Sequence, residues 1–223
     1  MEQQKINGFI TLKLEHEGTH IYVNDERYTS CKFLLINLDS EMMQKYEHSP
    51  SMDQITDHYK KEYGEGTPIK ITSQEEFWGH CSNFQAWVEN DYNCDIMDSR
   101  LAFPILKKIA NYDPTAMMIF KEEIINKLKS LYLNTILYLL KENFLDVFSK
   151  VELKIIILDI YGFDINNIYS VLTSKMPFEL RKYIFTKTGH KVKEYRDFKK
   201  KVRYAMDARF IQVPLMFFIK EKN

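Results

Sequence analysis

Glycine and proline are scarce in this chain, seven and six in 223 residues. Few breakers argue against a loop-rich architecture and favour long regular elements, helices above all. Cysteine is scarcer still. Cys31, Cys81 and Cys94 are odd in number, at spacings that match neither a secreted disulfide framework nor the close CxxC pairs of a zinc site. A reducing compartment is expected, and no metal. Long apolar runs are also missing: LYLNTILYLL and LKIIILDIYGF are broken by polar residues short of the ~20 that span a bilayer. The opening MEQQKINGF lacks the apolar stretch of a signal peptide. A soluble, cytoplasmic protein with no membrane association is expected. There is no P-loop, dinucleotide fingerprint, HExxH or GxSxG, so the enzyme classes with short motifs receive no support, and no cofactor is expected.

What is present suffices for a core. Apolar residues make up 45% and charged residues 28%, with 15 Phe, 14 Tyr and 2 Trp. Such a chain buries enough apolar surface to fold without disulfides or metals, and its length suits one domain or one domain with an appendage. The net charge is zero, yet residues 1–110 carry 18 acidic and 11 basic side chains and residues 111–223 carry 13 and 20. That polarity serves an acidic partner at one end, or attracts the two halves to each other.

Periodicity divides the chain. Phe9, Ile10, Leu12 and Leu14 alternate with polar residues as a half-buried strand requires, and Gly18 is expected to end it. Ile21, Tyr22 and Val23 precede Asn24-Asp25, a pair tolerant of turns, and the run CKFLLINL at 31–38 reads as a strand buried on both faces. A short helix capped by Asp39 or Ser40 is expected through Tyr46. Ser51 with Gln54 opens a helix to about Tyr63, and GEGTP at 64–68 is a loop. From Ser73 the period becomes helical. Ser73 with Glu76 reads as a capping box, and Phe77, Cys81, Phe84 and Val88 form the apolar stripe of a helix over 74–91. Leu101, Ile105 and Ile109 mark the next helix, and Asp113-Pro114 supplies a cap and a first-turn proline to another. Further helices are expected at 131–142, 143–149, 151–161, 165–174, 178–187 and about 191–212, then a tail after Pro214. The fold class is α+β: a short N-terminal antiparallel β-meander packed on a mainly α-helical body, bundle or α-solenoid-like. Residues 1–150 are expected to hold the β-start and helical core, and 151–223 a helical extension with a basic segment.

Two stretches carry chemistry. FWGHCSNFQAWVEN at 77–90 gathers Trp78, His80, Asn83, Gln85 and Asn90, a set suited to holding a ligand or protein partner, together with Cys81 and Trp87. Cys81 with His80 or His58 is the candidate for nucleophilic catalysis, His20 being a further base. However, neighbouring helical residues diverge by about 100°, and a Cys on an apolar stripe is ordinarily structural. His80, Cys81 and Cys94 lack the fourth ligand and close pairing of a zinc site. Residues 178–203 hold ten basic side chains against Glu179, Glu194 and Asp197, with Tyr183, Phe185, Tyr195 and Phe198 interleaved. There Lys191, Lys193, Arg196, Lys199, Lys200, Lys201 and Arg203 are the candidates for neutralising phosphates, and the aromatics for stacking on bases. The competing reading is a solvated helix face with a core stripe.

FITLKLEHEGTHIYVN, CKFLLINL and the block EEFWGHCSNFQAWVENDYNCDIMDSRLAFPILKKIANYDPTAMMIFKEEI resemble an uncharacterised archaeal domain of Asgard-type proteins that often precedes leucine-rich repeats. The resemblance covers about residues 8–150 and implies an interaction module. No LxxLxLxxN repeat follows residue 150, where this chain has its basic tail. The leading expectation is a non-catalytic interaction or regulatory module that binds a protein partner. Nucleic-acid binding through 178–203 comes second, and a cysteine-dependent hydrolase third.

Overall fold

The computed structural model describes residues 2–28, 49, 51–63, 72–162 and 176–188. Its architecture is α+β: among the described residues, a four-stranded antiparallel sheet at the N-terminus and a body of seven helices. By internal contact the chain divides into two compact units, Met1–Lys127 and Leu128–Asn223.

The first unit opens on β1 (Glu2–Lys5), β2 (Ile10–Glu15), β3 (Gly18–Val23) and β4 (Glu26–Tyr28), in the meander order β1-β2-β3-β4. The alternation from Ile10 onward is β2, with Ile10 and Leu12 fully buried and Thr11 and Lys13 on the opposite face. The strand ends at Glu15, and Gly18 does not close it but starts the next one. It opens β3 opposite Glu15 across a two-residue hairpin at His16 and Glu17, and its φ of +104° is the freedom that this tight reversal uses. Asn24 and Asp25 both have left-handed backbones, φ 52° and 62°, between the paired Val23 and Glu26. This is the primed hairpin turn that Asn and Asp tolerate. The all-polar β1 (EQQK) has no apolar alternation to announce it, and its charged and amide side chains suit a sheet edge. The run at 31–38 and the helix expected through Tyr46 lie outside the described residues.

Four helices complete this unit: α1 (Met52–Tyr63), α2 (Ser73–Glu89), α3 (Ser99–Ala110) and α4 (Pro114–Lys129), the last running two residues past the unit's end. Pro114 occupies the first turn of α4, and Thr115 N donates to Asp113 Oδ1 at 2.8 Å. The proline forfeits no helical bond there, and the carboxylate takes one of the orphan amides. Helix α2 lies on β2 and β3. Its Phe77, Cys81, Phe84 and Trp87 are buried, as are Ile10, Leu12, Ile21 and Val23 of the sheet's inner face.

The second unit contains α5 (Leu133–Lys141), a 3-10 turn at Phe144–Val147, α6 (Lys150–Tyr161) and α7 (Phe178–Thr188). Helix α7 packs on α5 and α6, and Ile136, Leu139, Leu145, Leu153, Ile157, Leu180 and Ile184 are buried. Ser149 and Glu152 form a capping box at the start of α6, and Gly162, φ +70°, ends that helix in the left-handed conformation. The helix expected at 143–149 is realised only as the 3-10 turn. The boundary expected at 150 falls inside this unit, at the first residue of α6. The helices expected at 165–174 and about 191–212, and the tail after Pro214, lie outside the described residues. No described helix is long and apolar enough to cross a membrane.

Candidate partner-binding surface

Helix α2 begins one residue earlier than its sequence signal. Thr72, not Ser73, is the N-cap: its Oγ1 accepts from Glu75 N at 3.2 Å, while Thr72 N donates to Glu75 Oε2 at 2.7 Å. The pentad Thr72-Ser73-Gln74-Glu75-Glu76 offers two overlapping boxes. The frame observed leaves Glu76 Oε1 at 3.2 Å from His80 Nε2, one turn on. The Thr72 N–H and hydroxyl hold the Glu75 carboxyl below its ordinary pKa.

From this start the helix separates the expected site residues. Phe77, His80, Cys81, Phe84 and Trp87 point inward. Trp87 meets Phe84 and Tyr92 edge-to-face, at 6.0 and 5.0 Å between centroids, and the Tyr92 hydroxyl accepts from Asn7 Nδ2 at 2.7 Å. Trp78 is 49% exposed, its indole edge-to-face at 5.1 Å against the buried Phe77. Ser82, Asn83 and Ala86 are exposed beside it and Gln85 is half-buried. Asn90 closes the helix, its Nδ2 donating to Ala86 O at 2.8 Å, and Gln85 Nε2 donates to Glu89 Oε1 at 2.7 Å. Of the five expected contact residues, Trp78 and Asn83 therefore lie open on the surface, while Gln85 and Asn90 are tied locally. His80 is 3% exposed and drops out of any contact surface. Ser82 and Ala86, small residues without chemistry of their own, were not singled out from sequence; their only signal is the i, i+4 and i+8 spacing from Trp78.

Between Glu76 and Glu89 this helix carries no Asp, Glu, Lys or Arg. Its exposed residues over this span carry no charge and include a tryptophan backed by a core phenylalanine, two features shared with interface centres.

The other candidates are placed elsewhere. Cys81 is 5% exposed, and burial alone raises its thiol pKa to about 11, the reverse of an activated nucleophile. His20 pairs with Lys13 in the register and so lies on the sheet face opposite Leu12 and Ile21, away from α2. There it meets the Arg27 guanidinium at 2.8 Å, beside Glu15, whose Oε1 accepts from the Tyr22 hydroxyl at 2.6 Å. That hydrogen bond leads the causes that lower the Glu15 pKa, and burial opposes it. His58 is exposed on α1. Cys94 is buried, its N–H donating to Glu123 Oε2 at 2.6 Å, and burial first, then Glu123, pushes its thiol well up. Among the described residues no cluster of three or more His, Cys, Asp or Glu is placed to hold a metal.

Sequence reasoning missed one buried ionic cluster. Asp53 at the start of α1 accepts from Ser99 N and Ser99 Oγ, both at 2.7 Å, and meets Lys127 Nζ at 3.1 Å. Lys127 also reaches Asp95 Oδ1 at 2.8 Å, and Arg100 joins Asp98 to Asp57. Burial lowers the Lys127 pKa, but Asp53 and Asp95 outweigh it and the net shift is upward. Each of these charges is answered by its neighbours, which makes the cluster a tie between α1, α3 and α4.

Of the basic segment, only its start is described. Arg181 is buried and donates to Met176 O at 2.9 Å, Tyr183 donates to Asp146 Oδ1 at 2.6 Å, and Lys187 meets the same oxygen at 2.8 Å. Phe185 is buried. Lys191, Lys193, Arg196, Lys199, Lys200, Lys201 and Arg203 lie outside the described residues. Comparison with family models, curated proteins and solved structures finds no match to this chain.

Proposed function

We propose that this chain is a non-catalytic interaction module that binds a protein partner through the outward face of α2, with Trp78 as its anchor. The observation that carries this reading is the exposed Trp78 on a face without charge from Phe77 to Val88. Interface centres are depleted in charge and enriched in tryptophan, because an indole buries a large area at the cost of only two torsions. Nucleic acid is a poor match to such a face, since phosphates call for Lys and Arg. The partner is a protein surface with an apolar pocket for the indole and polar groups for Asn83 and the helix edge. The resemblance to a domain that precedes a recognition array agrees with this reading.

The test begins with affinity capture on the full chain and on its Trp78→Ala and Ser82→Glu variants, followed by reconstitution of any captured protein with purified components. Truncating an anchoring tryptophan costs about 2 kcal/mol or more of binding, ~30-fold in Kd. Ser82→Glu should unfold at the wild-type temperature, because Ser82 is exposed, while Trp78→Ala should lose only the contact with Phe77, about 0.5–1.5 kcal/mol, and stay folded. A partner that binds Trp78→Ala and Ser82→Glu as tightly as wild type would place the interface elsewhere. Nucleic-acid binding stays as the second reading, supported by the ten basic residues of 178–203. Submicromolar binding that weakens steeply with salt would favour it.

A further inference from the structure

Helix α6 is aliphatic almost all round, with the sequence KVELKIIILDIY. Leu153, Ile156 and Ile157 are buried in the second unit, whereas Val151, Ile155 and Leu158 are 67%, 61% and 51% exposed. Single exposed aliphatics are ordinary on a protein surface; three in register along one helix are not. Their spacing of four and then three is that of the d, a and d positions of a heptad, the seam of a two-stranded coiled coil. In that frame Lys154 occupies g, and Glu152 and Asp159 occupy e. The next a position is Gly162, which caps the helix in the left-handed conformation, so seam and helix end together.

We propose that this face pairs in parallel with the same face of a second copy of the chain. Charge selects both the occupant and the direction. In parallel helices a g residue meets the e residue five positions further along its partner, which sets Lys154 against Asp159 of the second copy. Antiparallel pairing would set g against g and e against e, lysine on lysine and carboxylate on carboxylate. The stripe is thus self-complementary, as a two-fold interface requires. Asp159 meets Lys129 Nζ through Oδ2 at 3.0 Å and Lys154 is also engaged within its own chain, but the Asp159 side chain is 63% exposed, and a carboxylate accepts from a second cation without giving up the first. A seam of three layers is short, so the dimer is weak and concentration-dependent.

Sedimentation equilibrium of the full chain should show mass rising toward the dimer with concentration. Ile155→Asp should weaken the association by about tenfold or more, with an unchanged thermal transition because the side chain is exposed. Lys154→Asp and Asp159→Lys should each weaken it, and the double exchange should recover most of the loss. Val151→Cys, mildly oxidised, should give a disulfide between the two copies of position 151, mapped by peptide mass. A monomer at every concentration overturns the proposal, whether the thiol introduced at 151 labels fast, as on an open face, or slowly, as under a cover from the same chain. A dimer indifferent to Ile155→Asp overturns it too. A dimer that Ile155→Asp weakens but that forms no 151-to-151 disulfide overturns the parallel arrangement.

Discussion

Cys81 adjoins His80 in sequence, and the helix then points the two side chains about 100° apart. Each enters the interior by a different route, His80 toward Glu76 and Cys81 into an environment that raises its pKa to about 11. A raised thiol pKa keeps the group protonated and unreactive below that value, so at pH 8 only about one molecule in a thousand carries the thiolate. Native protein should therefore react with a thiol reagent at Cys81 far more slowly than urea-unfolded protein, and the native rate should climb with pH well beyond the range of an ordinary cysteine. Fast labelling of Cys81 near pH 7, mapped by peptide mass, would revive the hydrolase reading. The inward set of Phe77, Cys81 and Phe84 was legible from spacing alone, whereas the Asp53–Lys127 pair was not. Those two residues are far apart in sequence, and they come together only where α1 meets α4.

Helix starts were legible where a side chain closes a hydrogen bond within three residues, as at Asp113-Pro114, because that chemistry is local. Strand β1 was invisible for the opposite reason: EQQK becomes a strand only because β2 offers it an edge. The α2 cap lies between these cases, a local signal with two overlapping frames, Thr72 with Glu75 and Ser73 with Glu76. Replacing the true cap, Thr72→Ala, should destabilise the first unit by about 1 kcal/mol, and Ser73→Ala should change it by a few tenths. A larger loss at Ser73 in urea unfolding would return the cap to the frame expected from sequence. The pH dependence has a definite sign. The Glu75 carboxyl is held below its ordinary value by the Thr72 N–H and hydroxyl, so its contribution is complete above the unfolded pKa near ~4.3 and fades as pH falls through the folded value. Glu75→Gln, which removes the titrating carboxyl, should accordingly flatten the acid limb of the stability curve, whereas Thr72→Ala keeps the backbone N–H and should flatten it only in part; a limb unaltered by Glu75→Gln would mean that the carboxylate of the box does not act in solution.

Both tryptophans of the chain, Trp78 and Trp87, belong to the unit Met1–Lys127, so tryptophan fluorescence reads that unit alone while circular dichroism reads every helix. The unit has its own sheet, its own helical layer on that sheet, and in Asp53 with Lys127 a buried ion pair between helix α1 and its last residue. A chain of residues 1–130 keeps α4 whole, with Leu128 and the lysine in place, and should unfold cooperatively with an enthalpy near ~90 kcal/mol, as ~0.7 kcal/mol per residue implies. Its fluorescence midpoint should match that of the full chain within a few degrees. In the full chain, the fluorescence and dichroism transitions should then differ, because two units with separate cores need not melt together. Lys127→Met in the same shortened chain should lower its stability by about 3–5 kcal/mol, since Asp53 would be left buried without its cation. If residues 1–130 show no cooperative transition while the full chain melts once by both probes, the two units share a single folding unit, and the division at Lys127 marks contact density without marking a boundary of stability.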